Sequence, residues 1–277
     1  MTSGLFFDWY ACSLDHDPDL VMAELLGSYP HGTWEMVKPK NGYSDAMSLV
    51  LPDLSVAATL WWGGSSQGAA VYAFATGSNA HTFSSVIRSL WPVHRVVRVD
   101  IAVDFNQPGA WVSLNSLAHN LYKNKFVRNS PHYVGELGKE AVDSPDVKGR
   151  TIYLGSRQSV HMARFYEKGK KDNPSMPDWV RVEVEFKPRG DSRYAYASAT
   201  PAECLAATSL GSELLRILLN SSALRPCPAG AVRSLTDFER SASALVSQWS
   251  PFIRKLLQER FNGDIGACMA FLLGEAA

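Results

Sequence analysis

The stretch "RVVRVDIAVDF", residues 95–105, is the clearest β-strand pattern in the chain. Every second side chain of a strand lies on the same face. One face of this strand is apolar and is predicted to join the core: Val97, Val99, Ile101 and Val103. The opposite face is mostly ionised: Arg98, Asp100, Ala102 and Asp104. This alternation is typical of an antiparallel sheet with one buried face.

Two later stretches show the same alternation. "WVRVEVEFKP" at residues 179–188 has one polar face, made of Arg181, Glu183, Glu185 and Lys187. "HMARFYEK" at residues 161–168 has a face made of Met162, Arg164, Tyr166 and Lys168. Three predicted strands therefore each present a polar face, two with paired acids and one with a tyrosine between basic residues.

The first two thirds of the chain combine strands with a few helices. β-rich runs at residues 54–64 and 69–77 flank the turn-like "GGSSQG" and predict a hairpin. A helical pattern at residues 78–92 ends at a proline, and another lies around residues 113–124. Residues 1–196 are therefore predicted to form an α+β domain built on an antiparallel sheet.

Beyond that domain the pattern becomes helical. Thr200-Pro201 with Glu203 has the residues of a capped helix start, and Ser250-Pro251 repeats part of it. Residues 197–277 are therefore predicted to form a helical C-terminal region that serves DNA recognition or assembly.

Composition limits the kinds of partner. The 277 residues contain 27 basic and 27 acidic side chains, so no net charge draws the protein to polyanions. A site for DNA must then be a local patch. The four cysteines are scattered, and no apolar run is long enough to span a bilayer. The sequence predicts a soluble protein of a reducing cytoplasm with no membrane partner.

The acidic residues of the polar faces could hold a metal ion only in certain combinations. Asp100 and Asp104 lie about 13 Å apart along a regular strand, too far to share one small cation. Glu183 and Glu185 are only about 7 Å apart. A metal site would most economically combine one aspartate of the first strand with one glutamate of the other. Oxygen ligands would favour Mg²⁺ or Mn²⁺ over zinc.

A purely structural interpretation is also open at this point. Alternating acids and bases often form a solvated sheet face with cross-strand ion pairs. A tyrosine beside arginine can be an amphipathic residue at the edge of the core. The basic residues at 168–171 could be a charged turn.

The stretch "YLGSRQSVHMARFYEKG", residues 153–169, resembles the signature of the replication initiation factor family. That signature reads roughly Y-[FL]-G-x-R-x-S-x-x-x-x-R-[IVF]-Y-[DEN]-K. "RVDIAVDF" and "WVRVEVEFK" resemble two further strands of the family, in the same order along the chain. The resemblance covers roughly residues 60–190, and the N-terminal "DWY" at residues 8–10 is similar to phage members.

The resemblance implies a rolling-circle initiator of the kind found in plasmids and filamentous phages. Its fold would have a sheet core of the RRM or ferredoxin-like kind. The tyrosine matching Tyr166 would attack a phosphodiester of origin DNA, leaving a 5′-phosphotyrosyl link and a free 3′-OH. The family uses a divalent metal, Mg²⁺ or Mn²⁺, and its acidic positions match Asp100, Asp104 and Glu183, with Glu185 matching less closely.

The chemistry of a phenol agrees with this role. Because its pKa is near 10, a tyrosine needs a nearby cation or metal to become a good nucleophile at neutral pH. Arg164 and Lys168 are expected to supply that field. The expected contacts to flanking DNA phosphates are Arg157, Lys170 and Lys171. His161 could contact phosphate, carry a proton or simply be exposed.

Two other functions share these residues. One is a relaxase or transposase-like nickase of a mobile element, and the other is an origin-binding regulator without catalysis. In each case the expected partner is origin DNA, single-stranded or supercoiled, in the cytoplasm of a bacterial host. The helical region could read the origin, form a homodimer or recruit a host helicase.

Overall fold

The computed structural model describes residues 4–65, 68–135, 149–156, 159–221, 226–227 and 237–274. The chain divides into two compact units, residues 1–230 and 231–277. The helices between residue 197 and residue 221 belong to the first unit. A separate catalytic domain that ends at residue 196 stays a prediction.

The first unit is built on one antiparallel sheet. Within the described residues it has ten strands, in the order β2-β3-β4-β5-β1-β6-β10-β9-β8-β7. The strands are β1 (Phe6–Leu14), β2 (Thr33–Met36), β3 (Asp45–Val50), β4 (Val56–Trp62), β5 (Val71–Thr76), β6 (Arg95–Asn106), β7 (His132–Val134), β8 (Thr151–Leu154), β9 (His161–Tyr166) and β10 (Trp179–Phe186).

Helices of the same unit pack against this sheet and bury its apolar residues. They are α1 (Pro18–Ser28), α2 (Ser78–Leu90), α3 (Ala110–Lys123), α4 (Lys168–Asp172), α5 (Ser192–Ser198), α6 (Pro201–Leu205) and α7 (Ser209–Leu219). The predicted α+β fold with an antiparallel sheet is confirmed. The predicted capping box is also present, because Thr200 and Glu203 bond to each other's backbone at the start of α6.

The core face of β6 differs from strict alternation at one place. Val99, Ile101 and Val103 are buried as predicted, but Val96 joins them in the core in place of Val97. The reason is a β-bulge, since the pairing of β6 with β1 shifts register beside this position. A bulge adds one residue to a strand and so reverses the faces of the residues before it.

The second unit contains two helices in its described part, α8 (Asp237–Glu259) and α9 (Ile265–Leu273). The prediction that a helix begins at Ser250-Pro251 is wrong, because Pro251 lies inside α8. Asp264 caps the start of α9, because its side chain accepts a hydrogen bond from the backbone N–H of Ala267. Nowhere in the described residues does a helix have the length and apolar character needed to cross a bilayer.

Candidate active site

Three neighbouring strands in the middle of the sheet carry the polar residues predicted from the sequence. β10 pairs with β6 on one side and with β9 on the other. Arg181 lies between Asp104 and Tyr166, and Glu183 lies directly opposite Arg164. All these side chains are on the face opposite the core, here called the outer face. The prediction that the three strands could be neighbours is confirmed.

Tyr166 is the last residue of β9 and is half-buried. Its hydroxyl donates a hydrogen bond to Oε2 of Glu183, at 3.1 Å. Glu183 itself is almost completely buried, with 1% of its surface exposed. The phenol is thus held beside a carboxylate oxygen that can accept its proton.

The electrostatic environment of Tyr166 differs from the expectation. Its pKa is raised well above the ordinary value, first by burial and then by the negative charge of Glu183. Arg181 and Arg164 lower it, but by less. Arg164 therefore favours the phenolate as predicted, but burial and Glu183 outweigh the arginines, so the net shift is opposite to the expected one. The phenol contacts a carboxylate oxygen directly, and the arginines are bound to acids.

Arg164 joins the two acids at the centre of the site. Its guanidinium donates to Glu183 and to Asp100, the latter at 3.2 Å. Arg98 binds Asp100 with two hydrogen bonds of 2.8 and 2.6 Å. Burial raises the pKa of Asp100 in spite of these arginines, and the nearby charge of Glu183 raises it further. Burial also opposes ionisation of Glu183, but the bonds from Arg164 outweigh it and lower its pKa.

A second ion-pair cluster lies beside Tyr166 and includes a residue that the sequence analysis did not select. Arg181 binds Asp104 through two nitrogens, at 2.6 and 2.8 Å, and Asp8 at 2.6 Å. Asp8 reaches the outer face because the register of β1 shifts between Phe7 and Trp9. A bulge of this kind redirects a side chain. The signal for Asp8 was its place in the "DWY" motif, and the signal for Arg181 was its place on a polar face.

The three predicted metal ligands do not converge in this structure. Asp104 is bound to Arg181, whereas Asp100 and Glu183 share Arg164. The described residues contain no group of three or more His, Cys, Asp or Glu side chains that could hold a metal ion. Each predicted metal ligand already forms an ion pair with an arginine guanidinium. The arrangement does not fit a metal held by all three carboxylates, and the metal requirement stays a prediction.

The predicted basic residues occupy different positions. β9 ends at Tyr166, so Lys168 begins α4 and does not continue the strand. Its ammonium group binds Asp172 at 2.5 Å and lies over the Trp179 ring. Lys170 binds Glu167 at 3.0 Å, and Lys171 is exposed. Arg157 lies outside the described residues.

His161 is separated from Tyr166 by the sheet itself. It lies on the same face of β9 as Ala163 and Phe165, whose side chains are in the core. The ring of His161 lies 6.3 Å from that of Phe186, and burial lowers its pKa. This position gives His161 no contact with the phenol of Tyr166.

A buried ion pair fixes the residue that follows the tyrosine. Glu167 accepts three hydrogen bonds from Arg150, at 2.9, 2.9 and 2.7 Å. The guanidinium of Arg150 lies over the ring of Trp111, 4.8 Å from its centre. This contact ties the end of β9 to the start of β8 and to α3, and so holds the backbone of Tyr166 in place.

Replacing Glu167 with Gln is expected to reduce the free energy of unfolding at pH 7 by about 1–3 kcal/mol, since a buried charge partner is lost. Burial raises the pKa of Glu167, but the bonds from Arg150 and Lys170 outweigh it, so the pKa is lowered from 4.5. A lowered pKa stabilises the fold above the unfolded value and loses that effect as the pH falls through the folded value. The difference between wild type and variant should therefore shrink below about pH 4.5.

Urea unfolding at pH 7 and at acidic pH would measure this difference. Glu213→Gln is a suitable control, because Glu213 forms an exposed pair with Arg216 and exposed pairs contribute little. A Glu167→Gln protein as stable as wild type at pH 7 would contradict the anchoring role.

Residues 94–201 match the replication initiation factor family. The family resemblance predicted from the three motifs is confirmed. The match begins at His94, later than the predicted start near residue 60, and it includes β6, β8, β9 and β10 but not β1.

Similar solved structures include the rolling circle replication initiator protein from Geobacillus stearothermophilus. It is 18% identical, with a TM-score of 0.48, over 66% of this chain and 75% of that chain. None of the curated proteins matches this chain.

Proposed function

We propose that this protein is a rolling-circle replication initiator that nicks and rejoins origin DNA with Tyr166 as the nucleophile. The observation that carries the proposal is the hydrogen bond from the Tyr166 hydroxyl to Glu183, beside two arginines. The family match of residues 94–201 supports the assignment to replication.

The nicking step would transfer one phosphoryl group. The bond between Oη of Tyr166 and phosphorus forms, and the bond from phosphorus to the 3′-oxygen breaks. Glu183 accepts the phenolic proton, and the leaving 3′-oxygen takes a proton from solvent. Because the pKa of Tyr166 is raised and that of Glu183 is lowered, the proton would transfer only as the new bond forms.

The same proton transfer would free the Arg164 guanidinium to bind the phosphate, where negative charge develops during the attack. Neutral Glu183 would hold Arg164 less strongly than ionised Glu183 does. The side chain of Arg164 is 30% exposed, whereas that of Arg181 is 6% exposed. Arg164 is therefore the guanidinium best placed to reach the non-bridging oxygens of the phosphate as their charge grows.

The reverse reaction would complete a replication cycle. The free 3′-OH primes leading-strand synthesis. A later 3′-OH attacks the phosphorus of the phosphotyrosyl bond and loses its proton to solvent, while the bond from phosphorus to Oη of Tyr166 breaks. Glu183 then returns its proton to Tyr166. One tyrosine and one carboxylate thus serve cleavage and joining, because each step is the reverse of the other.

We further propose that the reaction needs Mg²⁺ or Mn²⁺, as the family does. Chelation with EDTA is expected to abolish nicking and leave DNA binding largely intact, and either ion should restore cleavage. Gel assays of nicking and fluorescence anisotropy of binding would measure both effects. Full nicking in EDTA, with trace metals removed, would refute the requirement.

A relaxase or transposase-like nickase would use the same chemistry on a different DNA target. An origin-binding regulator would bind this DNA without cutting it. Under the proposal, the partner is origin DNA in the cytoplasm of a bacterial host. A host helicase and a second copy of the chain are further proposed partners of the C-terminal region.

The decisive experiment is incubation of the protein with supercoiled and single-stranded DNA from its own genome. Denaturing gels would detect a covalent protein–DNA adduct, and peptide mapping would locate it. An adduct on Tyr166 supports the proposal, and the mapped junction identifies the origin. DNA binding without cleavage on every substrate, with Mg²⁺ and Mn²⁺ both tested, would instead favour the regulator.

A further inference from the structure

Five aromatic side chains form a continuous cluster on the outer face, next to the ion pairs. This aromatic stripe consists of Trp9, Tyr43, Trp61, Tyr72 and Phe74. Its members come from β1, β4, β5 and the segment before β3. Because side chains alternate between the two faces of a strand, the residues next to the rings, such as Leu60 and Ala73, lie in the core.

The rings of the stripe contact one another in sequence across the strands. Trp9 and Phe74 are stacked, with centres 5.5 Å apart and an angle of 4° between the planes. Phe74 meets Trp61 edge to face at 5.0 Å, and Trp61 stacks on Tyr72 at 5.6 Å. Tyr43 extends the series at 6.0 Å from Tyr72. Such a series presents ring surfaces along a line that crosses the sheet.

These rings lie on the side of the sheet away from its main helix contact. α2 packs on β1, β4 and β5, and its residues Ala80, Phe83 and Ile87 are fully buried. The five stripe residues are each only half-buried. Their remaining exposed surface is therefore available to a flat apolar ligand.

Arg98 links the stripe to the candidate active site. Its guanidinium lies over the ring of Trp9, 4.2 Å from the centre, while it binds Asp100 and Glu185. Three strand spacings, about 14 Å, separate β1 from β9. Register places Trp9 level with Met162 on β9, and Tyr166 lies four residues farther along that strand, about 13 Å, so the two rings are about 19 Å apart. At the 3.4 Å spacing of stacked bases, this distance corresponds to about six nucleotides.

We propose that the aromatic stripe binds unpaired bases of the same single strand that carries the phosphate attacked by Tyr166, a few nucleotides away from that phosphate. This inference rests on the proposed nicking function. Bases stack on aromatic side chains regardless of sequence, because every base has a flat face. Arg98 and Arg95 have side chains that are 23% and 31% exposed. Arg98 is bound to Asp100 and Glu185, and Arg95 is bound to the exposed Asp15, so each would contact a backbone phosphate through its remaining N–H groups or in exchange for an acid.

The ligand should be a single strand and not a duplex. In a duplex the base faces are covered by their neighbours in the stack, so the rings could reach only its ends. The stripe would thus act only after the origin has been locally unwound. It would hold the opened strand across the sheet and deliver the scissile phosphate to the middle strands.

Binding measurements in a Tyr166→Phe background would test this without cleavage. Trp61→Leu and Phe74→Leu keep an apolar side chain of smaller volume and remove the ring faces. Each is expected to weaken binding of a labelled thymidine oligonucleotide about 10-fold and to leave duplex binding unchanged. Trp62→Leu is the matched control, because Trp62 is the next residue of β4 and packs against the core on the other face. It should leave both affinities unchanged.

Circular dichroism would confirm that each variant is folded. If Trp61→Leu did not fold, Phe74→Leu and the quenching of wild-type tryptophan fluorescence by the oligonucleotide would serve instead. Single-strand affinity within twofold of the parent in a folded variant would overturn the proposal, as would an equal loss for duplex. A wild type that forms no adduct, while the stripe still selects single strands, would refute the nicking function and leave the binding site intact.

Discussion

Replacing Tyr166 with Phe is expected to abolish the protein–DNA adduct and to reduce nicking by at least about 1,000-fold, because the nucleophilic oxygen is removed. Binding to the same DNA should change little, since the phenol donates one hydrogen bond, to Glu183. The ring itself stays in place beside Arg181. Denaturing gels would measure the adduct, and anisotropy would measure binding.

Tyr153→Phe is the matched control for this variant. Tyr153 lies on β8, the strand next to β9, and pairs directly with Arg164. Its phenol is therefore on the same face as that of Tyr166, two residues away in register. We expect Tyr153→Phe to form the adduct at close to the wild-type rate. If the adduct persisted in Tyr166→Phe and disappeared in Tyr153→Phe, the nucleophile would be Tyr153 and the assignment of Tyr166 would be wrong.

Glu183→Gln is expected to lower the nicking rate by roughly 100- to 10,000-fold, which is the usual contribution of a general base. The amide oxygen of Gln can still accept the hydrogen bond from Tyr166, but it cannot take the proton. The geometry of the phenol should therefore be kept while the chemistry slows. The variant should also gain rate as the pH rises from about 6 to 9, because solvent must then accept the proton.

The pH profile separates this role from a structural one. A variant that is slow only because its fold is loosened would not recover at higher pH. Glu213→Gln makes the same chemical change on the exposed surface of α7 and should nick like wild type at every pH. Wild-type activity in a folded Glu183→Gln protein would show that Glu183 is not the base.

Alternation within single strands was enough to predict the faces of β9, of β10 and of β6 from Arg98 onward. The hydrophobic period of two places Val99, Ile101 and Val103 together, and the structure agrees. It could not predict the two bulges where β1 pairs with β6. A bulge depends on the partner strand. The position of Asp8 on the outer face therefore cannot be predicted from the sequence of β1 alone.

The electrostatics of the site could also not be predicted from the sequence. A list of basic residues around Tyr166 suggested a field that would favour the phenolate. In the folded chain Arg164 and Arg181 are bound to acids from other strands, and those partners are set by cross-strand register. Charge counted along one strand therefore gave the wrong sign for the pKa shift of Tyr166.

The place of β1 in the sheet has a consequence for work with shorter forms of the protein. β1 lies between β5 and β6, although it is the first strand of the chain. A fragment limited to the family match at residues 94–201 would leave β6 as an open edge, with its N–H and C=O groups ready to pair with other chains. It would also remove Asp8 from Arg181. The smallest stably folded form is therefore expected to include the amino-terminal strand, even though the family match does not reach it.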